Sequence, residues 1–198
     1  MAGILVVISG PSGSGKSTIY RRFLKKNQDA FFSVSCTTRK PRKGEADGVD
    51  YFFVNDDKFN EIESNGGFIE TTSIYGNRYG TPRDQIDSHL SLGRTIIVDV
   101  DVRGGDSFRR MYPDAVLVFI VSPSEKNTRE RLERRSSSPE DIERRIEMGR
   151  DEMKAADRYD YLIVNHDIDE AVESLSAIIA SEKHRISRNI ELLDQIGR

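Results

Sequence analysis

The sequence predicts an α/β fold whose core is a parallel sheet with helices on its flanks. Three observations support this prediction. Apolar runs that fit buried strands alternate with segments that fit helices, a glycine-rich turn follows the first apolar run, and one middle stretch changes to short strand-like pieces. Alternating strands and helices are typical of a parallel sheet, because each crossover places a helix on one face of the sheet.

Four apolar runs fit buried strands, and five other segments fit helices. The strands are predicted at 4–9, 95–100, 115–121 and 161–164. The helices are predicted at 17–26, 84–92, 124–134, 139–156 and 168–187. Ser138 followed by Pro139 gives the fourth helix a capping residue and a proline in its first turn.

The middle stretch is predicted to be an inserted lobe. Strand-like pieces at 51–54 and 68–72 are separated there by glycine-rich turns, such as those around Gly66 and Gly76. We therefore expect a single domain over 1–198, with its core at 1–32 and 83–187. The lobe is expected at 33–82, a short lid at about 134–146, and a C-terminal helical tail at 184–198.

Composition limits the class of protein. With 198 residues, 36% apolar and 32% charged, the chain fits one globular domain and neither a disordered nor a fibrous protein. The single cysteine, Cys36, excludes an intrachain disulfide and a structural zinc site, which favours the reducing cytoplasm. The first apolar run is far too short to span a bilayer, which argues against a membrane protein.

The charge pattern favours a small anionic ligand. A net charge of −3 argues against a general nucleic-acid binder. The cations are nevertheless bunched, with Arg39, Lys40, Arg42 and Lys43 close together and a second arginine-rich stretch between 129 and 150. Local positive pockets on an acidic body suit a compact polyanion.

Residues 10–17 read Gly-Pro-Ser-Gly-Ser-Gly-Lys-Ser, which matches the phosphate-binding pattern G-x-x-x-x-G-K-[ST] between a strand and a helix. Glycines let the backbone wrap closely around phosphate oxygens, and the following helix adds the positive end of its dipole. Lys16 is expected to reach the β- and γ-phosphates of a nucleoside triphosphate, and Ser17 to ligate Mg²⁺. The predicted triphosphate-binding residues are Gly10, Pro11, Ser12, Gly13, Ser14, Gly15, Lys16, Ser17 and Thr18.

A second set of segments follows this loop. Residues 35–42 read Ser-Cys-Thr-Thr-Arg-Lys-Pro-Arg, and Gly-Glu at 44–45, Gly-Val-Asp-Tyr at 48–51, Phe-Ile-Glu at 68–70, Tyr-Gly-Thr at 79–81, Asp-Val-Asp at 99–101 and Ile-Val-Asn at 163–165 come after them. In this order the segments resemble guanylate kinases over about residues 4–187. The resemblance implies a P-loop NTPase-type core, a β-rich GMP-binding lobe and a short lid. It also implies Mg²⁺-dependent transfer of the γ-phosphoryl group of ATP to GMP in purine nucleotide metabolism.

The resemblance places the GMP phosphate at four residues whose chemistry suits it. Arg39 and Arg42 can each present a planar fork to phosphate oxygens, and Tyr51 and Tyr79 add hydroxyl donors. Taken singly, the arginines also fit a solvated basic loop, and the tyrosines fit ordinary strand aromatics.

The resemblance places the guanine base at Glu70, Ser35, Thr81 and Asp101. A carboxylate at Glu70 would accept hydrogen bonds from guanine N1–H and from the 2-amino group, whereas adenine offers an unprotonated ring nitrogen. The hydroxyls of Ser35 and Thr81 are candidate donors to guanine O6, and Asp101 is the further contact that the resemblance implies. Glu70 alone also fits a surface carboxylate on a strand edge.

Asp99 and Asp101 follow an apolar strand, where P-loop proteins place the carboxylate that assists Mg²⁺. Asp99 is expected to act on the metal through water, and which of the two carboxylates lies nearer the metal stays open. Alternatively, the two aspartates have no function beyond forming a turn at the end of the strand.

Arg135 and Arg145 align with lid arginines of the family, and most of the other arginines nearby fit a solvated helix surface. Asn165 resembles the family position near the adenine of ATP, although a turn asparagine after a strand is an equal alternative. The chain departs from the family pattern at Ser136, where a glycine is common, and at Arg103, where a glutamine is frequent.

These residues together imply a reaction between two anions. The acceptor oxygen of GMP is already ionised, so positioning and charge neutralisation suffice and no general base is required. The predicted catalytic residues are Lys16, Arg39, Arg42, Arg135 and Arg145.

Two other functions would fit part of this pattern: an interaction module that has lost catalysis, and a P-loop GTPase or a kinase for another nucleoside monophosphate. The intact Lys16 and Ser17 argue against the first rival, and Glu70 with its hydroxyl companions argues against the second. The expected partners are ATP and GMP, with no nucleic acid and no membrane, and assembly into a homo-oligomer stays open.

Overall fold

The apolar runs of the chain pair into one large sheet, and the middle stretch forms a second sheet. The structure, a computed structural model, describes residues 3–42, 44–74, 76–134 and 138–197. Within these ranges the strands are β1 (Ile4–Ser9), β2 (Ala30–Phe32), β3 (Cys36–Thr37), β4 (Phe52–Phe53), β5 (Phe68–Ile74), β6 (Asn77–Pro82), β7 (Thr95–Asp99), β8 (Val116–Val121) and β9 (Tyr161–Val164).

The helices cover both faces of the large sheet and support the small one. They are α1 (Lys16–Lys26), α2 (Asp56–Ser64), α3 (Arg83–Ser91), α4 (Val102–Met111), α5 (Glu125–Glu133), α6 (Pro139–Met153), α7 (Ile168–Lys183) and α8 (Ile190–Ile196). None of the helices in the described ranges is long and apolar enough to cross a membrane.

The large sheet is parallel, in the strand order β2-β7-β1-β8-β9. The central strand β1 pairs with β7 in a register that places Ile4 opposite Thr95 and Ile8 opposite Asp99. Every residue of β1 is buried, as expected for a strand that is covered on both faces. The predicted parallel α/β core is confirmed.

Alternate residues of the central strands feed two hydrophobic clusters, because successive side chains of a strand point to opposite faces. Ile8 packs in one cluster with Phe23 of α1 and Leu175 of α7. Val7 packs in the other cluster with Phe108 of α4. The sheet is thereby held rigidly between two layers of helices.

The small sheet is mixed, in the strand order β4-β3-β6-β5. β3 runs parallel to β4 and antiparallel to β6, while β5 and β6 form an antiparallel pair with an irregular register between Phe68 and Thr71. Phe59 of α2 is fully buried against Phe68, with ring centroids 4.6 Å apart. This sheet lies within the predicted lobe, and the division of the chain into core, lobe, lid and tail stays a prediction.

The structure contains five strands and helices that the sequence did not predict: β2, β3, β6, α2 and α4. The adjacent glycines Gly104 and Gly105 obscure α4, since glycine disfavours a helix interior. Packing explains one of them, because a Cβ on Gly105 would lie 2.4 Å from the Tyr159 hydroxyl oxygen.

Two predicted helices end earlier than expected. α6 stops at Met153 and α7 at Lys183, and each is followed by a short 3-10 turn, Ala156–Arg158 and Ile186–Arg188 respectively. α8 then forms within the predicted helical tail.

Candidate active site

Four strands of the large sheet place their carboxyl ends along one edge. The phosphate loop, residues 10–17, follows β1, Asp99 ends β7, Ser122 follows β8, and Asn165 follows β9. This edge of a parallel sheet is where α/β proteins bind their ligands. The predicted triphosphate-binding and metal-assisting residues are therefore brought together.

The phosphate loop turns into α1 through three glycines with a left-handed backbone, at φ values of 138° for Gly10, 84° for Gly13 and 97° for Gly15. A Cβ at Gly10 would lie 2.1 Å from the carbonyl oxygen of Ile120, so no side chain fits there. The Lys16 ammonium donates to the carbonyl oxygens of Gly10, at 2.5 Å, and Pro11, at 3.3 Å. The loop thus carries its cation folded back against its own first residues.

The carbonyl of Ser14 in the phosphate loop is held by Asn165, which follows β9, and by Arg131 of α5. It accepts a hydrogen bond from Asn165 Nδ2 at 2.6 Å and another from Arg131 Nη1 at 3.1 Å. Arg131 Nη2 also donates to the backbone carbonyl of Asn165 at 3.0 Å. Asn165 is fully buried, and its predicted contact with adenine stays a prediction.

Arg131 was not predicted to take part in the site. It stood among several arginines that read as helix surface, and only its spacing, one helical turn before Arg135, sets it apart. The structure places it against the phosphate loop instead.

The Asp99 carboxyl lies close enough to Lys16 for their charges to interact. Burial raises the pKa of Asp99 above its ordinary value, and the positive charge of Lys16 opposes that rise. Nowhere in the described ranges do three or more His, Cys, Asp or Glu side chains gather to hold a metal. Ser17 and Asp99 still fit Mg²⁺, which keeps several waters and takes most other ligands from nucleotide phosphates.

Asp101 caps α4, a role that the sequence analysis did not assign. Its Oδ1 accepts from the backbone N–H of Gly104 at 2.8 Å, and its Oδ2 accepts from Arg103 Nη2 at 3.3 Å. Arg103 Nη2 also donates to Thr72 Oγ1 of β5 at 3.2 Å. Arg103, a departure from the family pattern, therefore links the start of α4 to the small sheet.

The predicted base-reading residues meet on the small sheet. Thr81 Oγ1 donates to Glu70 Oε1 at 2.6 Å, and Ser35 Oγ lies 3.5 Å from Thr81 Oγ1. Burial raises the pKa of Glu70, the hydrogen bond from Thr81 opposes the rise, and the charge of Asp101 adds to it. A carboxyl group and two hydroxyls thus stand side by side.

Arg39 is held by a carboxylate that the sequence analysis noted only as part of a motif. Its two terminal nitrogens donate to the two oxygens of Glu45, each at 2.9 Å. The backbone N–H of Arg42 donates to Glu45 Oε2 at 2.7 Å, while the Arg42 side chain is exposed. Glu45 therefore fixes the direction of the Arg39 fork and the turn that carries Arg42.

Tyr51 and Tyr79 lie beside Arg39. Their ring centroids are 5.7 Å apart in an edge-to-face arrangement, and the Arg39 guanidinium lies 5.4 Å from the Tyr51 ring centroid. Burial, followed by the neighbouring Tyr79, raises the pKa of Tyr51, and the charge of Asp99 contributes to the rise. Asp99 therefore lies near enough to Tyr51 for its charge to act on the phenol.

Arg145 of α6 reaches the phosphate loop, because its Nη1 donates to Ser12 Oγ at 3.1 Å. α6 packs on α5 through Leu132, Ile142 and Ile146. The other predicted lid arginine, Arg135, lies outside the described residues, as does Ser136.

A cavity of about 900 Å³ lies away from this edge of the sheet. Gly3, Leu90, Asp114 and Asn189 line it, so it sits near the amino ends of β1 and β8 and beside α8. Its lining includes none of the predicted site residues. We therefore do not assign the candidate active site to this cavity, although it is large.

A phosphate loop at the carboxyl edge of a parallel sheet defines the P-loop class of nucleotide-binding proteins. The family model described as "Guanylate kinase" matches residues 3–182. The chain therefore belongs to the guanylate kinase family.

Individual relatives agree with this assignment. The chain is 41% identical over 187 residues to a guanylate kinase of Carboxydothermus hydrogenoformans, covering 94% of this chain and 92% of the relative. It is 43% identical over 188 residues to one of Symbiobacterium thermophilum, covering 94% and 89%. The crystal structure of guanylate kinase from Anaplasma phagocytophilum superposes with a TM-score of 0.77 at 34% identity, covering 94% of this chain and 89% of that one.

Proposed function

We propose that this chain transfers the γ-phosphoryl group of ATP to GMP, giving ADP and GDP in purine nucleotide metabolism. The observation that carries the proposal is the meeting of Glu70, Thr81 and Ser35 on the small sheet. The phosphate loop is common to many reactions, whereas this group of acceptor and donors is complementary to guanine.

In the proposed complex, an ionised Glu70 accepts from guanine N1–H and the 2-amino group. The hydroxyls of Ser35 and Thr81 can turn to donate to O6. Asp101 lies close enough to raise the pKa of Glu70, which supports its place on the guanine side. AMP would present the Glu70 carboxylate with an unprotonated N1, so it should be rejected.

On the acceptor side, Arg39, Arg42, Tyr51 and Tyr79 would bind the phosphate of GMP. On the donor side, the phosphate loop with Lys16 and Arg145 would bind ATP. Two unit charges at 4 Å repel by about 4 kcal/mol at an effective dielectric of 20, so these cations must offset the approach of the two anions. Positioning and charge neutralisation then account for the catalysis.

Mg²⁺ bound with ATP belongs to the same proposal, with Ser17 as a ligand and Asp99 acting through water. The metal would supply charge neutralisation between the β- and γ-phosphate oxygens. The proposed partners are the two nucleotides. A cytoplasmic location is proposed because the only cysteine, Cys36, is buried within β3 of the small sheet and has no second cysteine to pair with.

The test is a coupled assay of ADP release with ATP, Mg²⁺ and each of GMP, AMP, CMP and UMP. We expect rapid turnover with GMP and background rates with the other three. Lys16→Ala should abolish turnover with GMP while circular dichroism shows an intact fold. Turnover with AMP but not GMP would overturn the assignment of Glu70, and no turnover with any of them would overturn the proposed activity.

A further inference from the structure

The peptide between Ser14 and Gly15 of the phosphate loop is fixed by two side-chain hydrogen bonds to its carbonyl oxygen. The carbonyl oxygen of Ser14 accepts from Asn165 Nδ2 at 2.6 Å and from Arg131 Nη1 at 3.1 Å. Asn165 is in turn fixed by its own backbone, since its N–H donates to the carbonyl of Val121 at 2.8 Å and its carbonyl accepts from Arg131. The ends of β8 and β9 therefore support the loop directly.

The orientation of the Asn165 amide is determined by this contact. Its Nδ2 faces the Ser14 carbonyl, whereas the reverse orientation would bring two oxygens to 2.6 Å. Its Oδ1 is buried without a hydrogen-bond partner among the residues that the structure describes. Within the described residues, the Asn165 side chain therefore forms a hydrogen bond only through Nδ2, to the phosphate loop.

Holding the Ser14 carbonyl also directs the next N–H of the loop. A trans peptide is planar and places its C=O and N–H on opposite sides. Because the Ser14 carbonyl points towards Asn165 and Arg131, the N–H of Gly15 points the other way. Phosphate loops bind their ligand through such consecutive N–H groups.

We propose that Asn165 is a positioning residue of the phosphate loop, which fixes the Ser14–Gly15 peptide so that the Gly15 N–H faces the phosphates of the triphosphate. Adenine could contact Asn165 only through solvent-exposed atoms, and Asn165 has none, since its relative exposure is 0%. The inference rests on the proposed function only in that residues 10–17 hold a triphosphate.

The close approach also explains Gly15. A Cβ at this position would lie 2.2 Å from Asn165 Nδ2 and 3.6 Å from Arg131 Nη1. Its φ of 97° is a second reason for glycine. Gly15 and Asn165 therefore act as a matched pair in which the missing side chain of one admits the amide of the other.

The test separates phosphate binding from adenine binding. Dissociation constants are measured with Mg²⁺ present for ATP and for inorganic tripolyphosphate, which has no base, in the unaltered protein and in Asn165→Ala and Asn165→Asp. Loss of one buried hydrogen bond in Asn165→Ala should raise the dissociation constants of both ligands by about tenfold. The two ligands should lose affinity by the same factor, and Asn165→Asp should lose at least as much because its carboxylate opposes the Ser14 carbonyl.

Asn27→Ala is the matched control. Asn27 Nδ2 donates to the carbonyl of Phe23 at 2.9 Å at the far end of α1, so this variant also loses an amide-to-carbonyl hydrogen bond. It should bind both ligands normally. Weaker binding of ATP with unchanged binding of tripolyphosphate in the Asn165 variants would show an adenine contact and overturn the proposal, as would unchanged binding of both.

A measurement on the unaltered protein covers the case in which the variants do not fold. The side-chain amide signals of Asn165 in NMR spectra should shift on addition of tripolyphosphate and should not shift on addition of adenosine. The opposite pattern would overturn the proposal. Neither ligand measurement uses GMP, so failure of the proposed GMP kinase activity would show separately, in the turnover assay.

Discussion

Two carboxylates of the small sheet region differ in charge behaviour because their neighbours differ. Glu45 accepts two hydrogen bonds from Arg39 and one from the backbone of Arg42, and these hold its pKa down at about 2. Glu70 is withdrawn from water, and the hydrogen bonds that it accepts from Thr81 only partly oppose the effect of burial, so its pKa is raised. Glu45 is thus a permanent anion that orients an arginine, whereas Glu70 can gain a proton under mild acid.

Glu70→Gln tests the role of this carboxylate. A glutamine keeps one acceptor and turns an amide donor towards a guanine donor, so we expect kcat/KM for GMP to fall roughly 100-fold, which corresponds to the loss of about one charge-assisted hydrogen bond. Glu61→Gln, which alters an exposed carboxylate of α2 paired with Lys58, is the control and should change little. An unchanged kcat/KM in Glu70→Gln would remove Glu70 from the site.

The pH dependence of GMP recognition in the unaltered protein follows from the raised pKa of Glu70. Only the ionised form accepts both guanine donors, so recognition should be lost as pH falls through a value above the ordinary carboxyl pKa of about 4.3. The ratio of kcat/KM in the unaltered protein to that in Glu70→Gln cancels the ionisation of the GMP phosphate. This ratio should decrease in mild acid, and a ratio that stays constant down to pH 4 would contradict the prediction.

At the scale of elements, the start of α4 serves both the helix and the site. Asp101 satisfies the Gly104 N–H and meets Arg103, and Arg103 reaches β5 through Thr72. The same carboxylate is predicted to lie on the guanine side. The prediction therefore couples capping and substrate binding in one residue.

Asp101→Ala and Asp101→Asn separate these two roles. The alanine removes the cap and should lower the free energy of unfolding by about 1 kcal/mol, whereas the asparagine keeps a capping oxygen and should cost only a few tenths. Both remove the charge, so both should raise KM for GMP more than KM for ATP. Urea denaturation and steady-state kinetics measure the two effects, and equal stability of the two variants would refute the capping role.

Adjacent arginines of α6 provide a second test at this scale. Arg145 reaches Ser12 of the phosphate loop, while Arg144 pairs with Asp141 on the helix surface. Arg145→Ala should lower kcat by about 100-fold, as expected for loss of one cation aimed at developing phosphate charge. Arg144→Ala should leave kcat within about twofold, and a comparable loss in both variants would show that α6 acts through its overall charge.

At the scale of the whole molecule, a buried carboxylate ties the C-terminal segment to the sheet. Glu182, 3% exposed, accepts hydrogen bonds from Tyr161 Oη at 2.6 Å, from Arg185 at 2.6 Å and from Arg188 at 3.3 Å. Arg188 also donates to the carbonyl of Asp114, just before β8. The cluster lies at the amino ends of β8 and β9, the edge of the sheet opposite the candidate active site.

Arg188→Ala should therefore alter stability and leave activity unchanged. It leaves a buried carboxylate with one cation fewer, which should lower the free energy of unfolding by about 3 kcal/mol. Arg185→Ala is the matched control, because Arg185 meets the same carboxylate with its side chain 58% exposed and should cost less than about 1 kcal/mol. Equal losses in urea denaturation, or a changed KM for either nucleotide in Arg188→Ala, would contradict this interpretation.

The elements that the sequence predicted well are those in which one strong pattern acts over a short distance. Ile4–Ser9 is apolar up to its last residue and flanked by glycines, and Tyr161–Val164 is bounded by polar turns. α4 was missed because Gly104 and Gly105 disfavour a helix locally, although tertiary packing against Tyr159 requires a glycine at 105. The contacts of Arg131 were missed because one arginine among many carries no local signal.

The sequence by itself determined the parallel core and the phosphate loop, because the first follows from short-range periodicity and the second from a motif with a fixed spacing. Its resemblance to the family predicted the base-reading and phosphate-binding side chains. Only the tertiary structure decided which partners those side chains meet. Glu45 holds Arg39, Asp101 caps α4, and Asn165 supports the Ser14 carbonyl across a gap of 151 positions in the chain. Hydrogen bonds depend on distances of about 3 Å in space, and a linear pattern does not encode which remote residues folding brings that close.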